Sequence, residues 1–168
     1  VDLSHADLSL RDLAGADLTG AKLVRADLRS ANLAGAMLDG ADLSAAKVQK
    51  ANIPAASLRG ARLIATDLEF ARMFRADLSN ADLSMANMEA ARATHVRLNG
   101  ARLIDVNMQE TKFQEADFRN AVMKNCFTRF ASACGGAKPR RYCMNAFRAT
   151  DERGNYKVPQ QPRRAIII

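Results

Sequence analysis

The stretch Ala76-Asp77-Leu78-Ser79-Asn80-Ala81-Asp82-Leu83-Ser84-Met85 holds two five-residue units, each opening on alanine and centred on leucine. Extended in both directions, the same frame runs from Leu3 to Met123. It gives 25 central positions, of which 24 carry Leu, Ile, Val, Met or Phe and one carries Ala93. Two places before the centre, from Ala6 to Ala121, alanine fills 19 of 24 positions; the departures are Arg11, Thr66, Val96, Val106 and Thr111. No insertion or deletion breaks the register, so the array is continuous.

A period of five excludes the ordinary readings. An amphipathic helix needs apolar residues spaced by three and four, and a half-buried strand needs strict alternation. The alanine and the centre lie two apart, as on one side of a strand, but the following residues cannot continue that alternation. The chain must turn after each short extended piece, which makes a solenoid whose units bury their apolar faces only by stacking on neighbours.

The glycines indicate which residues stack. Residues 1–130 contain six of them: Gly15 and Gly35 in one column of a 20-residue frame, and Gly20, Gly40, Gly60 and Gly100 in another. Asn80 and Asn120 complete the second column, and Asn is the residue that next best tolerates the positive φ of a type II turn. The expected coil is therefore four pentapeptides long. About six such coils at the inter-strand spacing of ~4.8 Å would form a rod of roughly 30 Å.

Runs such as Ala16-Asp17-Leu18-Thr19-Gly20, Ala26-Asp27-Leu28-Arg29-Ser30 and Ala76-Asp77-Leu78-Ser79-Asn80 resemble the A(D/N)LXX signature of pentapeptide repeat proteins. The resemblance covers residues 1–130. It implies an all-β fold, a right-handed quadrilateral parallel β-helix with Ala and Leu inside and the other positions outside. Leu23, Leu43, Leu63, Leu83 and Leu103 form one inner column of that core. Members of the family share no single activity, so function must be argued from the surface.

Composition agrees with one domain carrying a continuous Leu/Ala core, without Trp and with few aromatics. Large centres come late, at Phe113 and Phe118, so the bore is expected to widen toward that end. Ala93 lacks the volume of a leucine and is expected to dent its face. No apolar run approaches the length of a membrane span and no signal peptide is visible. A start at Val1 is read as a processed N-terminus or an excised piece of a longer protein.

The net charge of +7 is unevenly placed. Residues 1–130 hold 17 Lys/Arg against 16 Asp/Glu, whereas residues 131–168 hold 8 against 2. The basic tail loses the repeat and contains Gly135-Gly136, Pro139, Pro159 and Pro162. It is read as an irregular cap over the last coil, since an open β-helix end exposes unpaired backbone. Its end, Ile166-Ile167-Ile168, is either an edge strand or a surface for self-association. No recognition motif supports specific DNA binding, which the near-neutral array also argues against.

Chemistry finds little foothold. Cys126 falls at a small inward position, and Cys134 and Cys143 have neither redox-pair nor zinc spacing; they are read as reduced, or as a bridge in an oxidising compartment. His5 and His95 lack a nucleophile or carboxylate at informative spacing. The acidic residues just before the centres are read as turn-forming groups that bond nearby backbone. The chain is therefore expected to be no enzyme and to need no cofactor or metal.

Function is then sought on the outer faces, taking residues 20 apart as stacked. Asp2, Lys22, Asp42, Arg62, Asp82 and Arg102 alternate in sign, a structural arrangement. Another column reads Asp12, Asn32, Asn52, Arg72, Arg92 and Lys112, placing three cations in successive coils. Arg75 and His95 occupy the adjoining corner, Arg97 begins the next face, and Phe70 and Phe74 flank the ladder. Apolar anchors beside arginine have the composition of a protein interface. The structural alternative is that Glu69, Glu89 and Glu115 neutralise the ladder while the aromatics cap corners.

Two functional classes follow. The first is a non-enzymatic protein-binding or scaffolding module. The resemblance implies settings such as bacterial secreted effectors, secretion adaptors and signalling fusions, and so a cytoplasmic or secreted location. The second is a gyrase- or topoisomerase-binding modulator of the DNA-mimic type, which the resemblance also implies for some members. A DNA mimic needs a broad acidic surface, and the outward Arg72, Arg92 and Lys112 depart from that.

Overall fold

The computed structural model describes residues 1–127 and the backbone of Asn155–Tyr156. Through the described array, parallel β-bridges join each bridging residue to the one 20 positions later: Asp2 to Lys22, Lys22 to Asp42, Asp42 to Arg62, Arg62 to Asp82 and Asp82 to Arg102. Three further columns, beginning at Asp7, Asp12 and Asp17, follow the same rule. One winding of this parallel β-helix thus takes 20 residues, the length that the glycine spacing predicts.

Three backbone bonds recur in each unit. The Leu3 N–H donates to the Lys22 carbonyl at 2.7 Å, the Lys22 N–H donates to the Val1 carbonyl at 2.9 Å, and the corner His5 N–H donates to the Val24 carbonyl at 2.9 Å. A fourth closes the turn within a coil, from the Ala6 N–H to the Leu3 carbonyl at 3.1 Å. Short extended pieces are therefore paired above and below, which satisfies backbone groups that the apolar interior could not.

The inner surface follows the repeat. Leu23, Leu43, Leu63, Leu83 and Leu103 are all buried, as are the alanines two places before them. Each fully buried leucine contributes about 1.5–3 kcal/mol of transfer free energy. Alanine leaves the room in which the neighbouring centre packs. Among the expected small positions, Thr66 and Thr111 are also fully buried, and their hydroxyls donate to the carbonyls of Leu43 and Met88, each at 2.7 Å. Cys126 plays the same part in the last described coil, its thiol 3.0 Å from the Leu103 carbonyl. Burial raises its pKa to about 11, so it is an inert core group.

The corners obey a wider rule than the glycine column indicates. Every fifth residue from His5 to Asn125 has positive φ, and 19 of these residues are not glycine. Each stands third in a four-residue turn, where a type II turn requires the left-handed region. Val, Ile and Thr, whose branched Cβ fits that region worst, are absent from all of these positions. The aspartates before the centres bond the backbone two residues on, as with Ser4 N–H to Asp2, Thr19 N–H to Asp17 and Ser84 N–H to Asp82, each at 3.0 Å. They are turn-forming groups, as their position suggests.

Ala93 is fully buried and the backbone ladder passes it unbroken: Met73 N–H donates to Arg92 and Ala93 N–H to Lys112, both at 2.8 Å. One coil further on, Phe113 is buried and packs edge to face against Phe118 with ring centroids 5.1 Å apart. The last windings contain strands β1, Arg102–Ile104, and β2, Val122–Lys124, paired in parallel. Strand β3, Asn155–Tyr156, pairs antiparallel with the other side of β2 through Met123 and Lys124. Among the described residues, Asn155–Tyr156 is the segment that pairs with this side of β2. The rest of the expected cap, with Cys134, Cys143 and Ile166–Ile168, lies outside the described residues.

Candidate functional site

The column of interest begins with Asp12 followed by two amides. Asn32 Nδ2 donates to Asp12 Oδ1 at 2.9 Å, and Asn52 Nδ2 donates to Asn32 Oδ1 at 3.0 Å. Such a ladder satisfies its members from one coil to the next. Below Asn52 the chemistry changes. Arg72, Arg92 and Lys112 are exposed and in direct bridge register, Arg72 to Arg92 and Arg92 to Lys112. Among the described residues, no salt bridge within 4.0 Å involves any of the three.

The other bridging arginines behave differently. Arg62 pairs with Asp42 at 3.5 Å, Arg97 with Asp77 at 3.5 Å and Arg102 with Asp82 at 3.6 Å. Each partner is the aspartate one coil earlier in the same column. Arg72 has Asn52 at that place, Arg92 has Arg72, and Lys112 has Arg92. Arg97, grouped with the ladder by sequence, is therefore a neutralised member of the next face. Two of the three carboxylates offered as neutralisers are engaged elsewhere: Glu115 lies 3.3 Å from His95 Nδ1, and Glu89 accepts from Asn107 Nδ2 at 3.1 Å. Glu69 forms no salt bridge with the ladder among the described residues.

Two aromatics flank the cations. Phe70 stands at a corner with φ 57° and is 49% exposed; Phe74, just after the Met73 centre, is 44% exposed. Phe74 is held from two sides, with the His95 ring edge-on at 5.4 Å and the Arg75 guanidinium 5.0 Å from its centroid. A cation and an edge-on ring are both favourable partners for an aromatic face. Arg75 and His95 thus orient Phe74. On the other side a shallow hollow of about 340 Å³ is lined by Lys50, Asn52, Phe70, Arg72, Ala90 and Arg92.

A model of pentapeptide repeats, eight copies, matches residues 12–49, 41–80, 56–92, 71–109 and 86–125. The chain belongs to the pentapeptide repeat family. No curated protein sequence matches it significantly. Among solved structures, HetL, a pentapeptide repeat protein involved in heterocyst differentiation regulation from the cyanobacterium Nostoc sp. strain PCC 7120, is 27% identical. That match covers 77% of this chain and 71% of HetL, with a TM-score of 0.33. Rfr23 from the cyanobacterium Cyanothece 51142 is 28% identical over 64% of this chain and 63% of its own, less than two thirds of its length, with a TM-score of 0.32. A trypsin-treated form of QnrB1, a plasmid-mediated fluoroquinolone resistance protein, is 17% identical over 82% of each chain, with a TM-score of 0.42.

Within this pentapeptide repeat array, carboxylates outside the site are held by local bonds. The Arg29 side chain holds Asp27 below the ordinary 3.8, with Nη2 2.6 Å from Oδ2. Burial opposes ionisation of Asp117, but hydrogen bonds from Arg119 prevail and its pKa is also lowered. Among the described residues no cluster of His, Cys, Asp and Glu could hold a metal ion, and no helix is long and apolar enough to cross a membrane. The candidate site itself presents three exposed cations and two half-exposed aromatics, groups suited to charge and apolar contact.

Proposed function

We propose that this chain is a non-enzymatic protein-binding module, a right-handed, four-sided stack of about six coils at ~4.8 Å spacing. Its binding face carries Phe70, Arg72, Phe74, Arg92 and Lys112. One observation carries the reading: three unpaired cations stack in successive coils, although every bridging arginine on the other faces has an aspartate one coil earlier. Like charges in direct register repel. A fold with an available pairing rule departs from it where a ligand completes the charge balance. Exposed aromatics beside those cations add the apolar part of an interface. The gyrase-binding DNA-mimic reading is not favoured, since a polyanion mimic has no use for an outward cationic ladder.

Affinity capture from the host lysate tests this function. The full chain is compared with the Phe74→Ala/Arg92→Ala variant, with bound proteins identified by mass spectrometry. A protein retained by the native chain and lost with the variant supports the reading. Retention unaffected by the variant moves the interface to another face, and capture of gyrase or topoisomerase IV subunits restores the second reading.

A further inference from the structure

Resting on that binding face, we infer that the occupant of the Arg72–Arg92–Lys112 ladder is an extended acidic protein segment, carboxylates on the cations and apolar side chains against Phe70 and Phe74. Three cations at the inter-coil spacing span about 10 Å along the rod. An extended peptide lying along the same axis presents every second side chain at about 6.6 Å, so two acidic residues on one side fit within the ladder's length. The intervening side chains point away, and an apolar residue at the Arg72 end of the peptide reaches the aromatics, which both lie in that coil. Guanidinium groups favour this ligand because their planar donors match a carboxylate in bidentate fashion.

The surroundings select a short acidic stretch over a long polyanion. Asp67, Glu69, Glu89 and Glu110 stand on the face and corner to one side, with Lys47 and Lys50 on the same side, whereas Asp77 and Asp117 on the other side are already paired with Arg97 and Arg119. A long polyanion straying off the ladder toward Asp67, Glu69, Glu89 and Glu110 would meet carboxylates, whereas a short protein segment can stay on the three cations. The amide part of the column has no net cation to extend the track, because Asn52 and Asn32 donate upward toward Asp12. Among the described residues the positive charge of this column is thus confined to Arg72, Arg92 and Lys112, with Lys50 lining the same hollow.

The test uses fluorescein-labelled short peptides in which two Asp or Glu residues are separated by one Ser and flanked by Leu two places beyond each acid, the same peptides with Asn or Gln in place of the acids, and single-stranded DNA. Each is titrated by anisotropy against the full chain, Arg72→Ala/Arg92→Ala and Lys22→Ala. The acidic peptide is expected to bind the native chain and Lys22→Ala alike. Binding should weaken roughly ten-fold or more with the double variant and fall as salt rises. The amide peptides should not bind. Equal binding by the double variant, or DNA bound more tightly than the acidic peptide through the same two arginines, overturns the inference. Amide peptides bound as well as acidic ones, with loss in the double variant, overturn the acidic class but leave the binding face standing. No ladder-dependent peptide binding, together with a lysate partner lost with the Phe74→Ala/Arg92→Ala variant, likewise rejects the segment and retains the face.

Discussion

The Thr66 hydroxyl donates a 2.7 Å hydrogen bond to the carbonyl oxygen of Leu43, which already accepts the Ala46 amide at 2.9 Å. The offset of 23 residues recurs from Thr111 to Met88 and from Cys126 to Leu103. The second lone pair of a turn carbonyl is thus the standing partner for a hydroxyl or thiol at the small inner position. Thr66→Val should cost about 1 kcal/mol, the net value of one such bond, since the acceptor keeps its amide partner. Val106→Thr, in the same column, should stay within about 1 kcal/mol of the native protein because the Leu83 carbonyl stands at the same offset. Urea unfolding measures both.

Leu63 and Leu83 are fully buried at the centre of one inner column. Replacing either by Asp places a carboxylate between stacked coils, with every nearby backbone donor already bonded. The penalty of several kcal/mol takes up most of a typical stability of about 5–15 kcal/mol. Leu63→Asp should lose the native far-UV circular dichroism and its cooperative melt. A variant that melts like the native chain would show that Leu63 does not face the core.

Ala65 sits at an exposed corner with φ 55°. A branched Cβ adds to the left-handed penalty of roughly 1–2 kcal/mol, while Asn tolerates that region. Ala65→Val should therefore destabilise by about 1 kcal/mol, and Ala65→Asn should match or exceed the native midpoint in urea. If Val and Asn proved equivalent there, the corner would not hold the backbone at positive φ.

Asp27 has a lowered pKa because of the Arg29 side chain, and Asp17 because of the Thr19 backbone N–H. A group whose folded pKa is depressed contributes stability above its unfolded value, and that contribution is lost as pH falls through the folded value. The stability of the array should be level at neutral pH and decline once pH passes below the ordinary 3.8. Asp27→Asn should be less stable at neutral pH and less sensitive to acid. Thermal melts between neutral pH and strong acid follow the decline.

The coil period was legible in Leu3 to Met123 because the inner positions tolerate so few residue types, and the 20-residue spacing was legible in Gly20, Gly40 and Gly60. The corner rule was only partly so. Residues such as Phe70, Arg75 and Met85 carry no glycine-like signature at positive φ, and the available signal was negative, the absence of branched side chains. The ladder of Arg72, Arg92 and Lys112 followed from arithmetic alone. The pairing of Arg97 with Asp77 was equally open to it, since the two stand 20 apart, but Arg97 was grouped by nearness in sequence. Contacts around Phe74 were not legible, because side-chain direction after a turn depends on rotamers. The return of Asn155–Tyr156 to β2 has no sequence pattern behind it, since backbone pairing at an edge requires no particular side chain.

Arg92 and Arg102 separate binding from stability. Both are exposed in bridging positions, but Arg102 has Asp82 one coil earlier and Arg92 lies between Arg72 and Lys112. Like charges in register destabilise by a few tenths of a kcal/mol, and an exposed ion pair contributes about as much. At low salt, Arg92→Ala should raise the unfolding midpoint slightly and Arg102→Ala should lower it, with both effects shrinking as salt screens the charges. A column kept for structure would lose stability in both variants. Stabilisation by Arg92→Ala would mean that the free protein holds this cation against its own folding preference, as a site awaiting an anionic partner must.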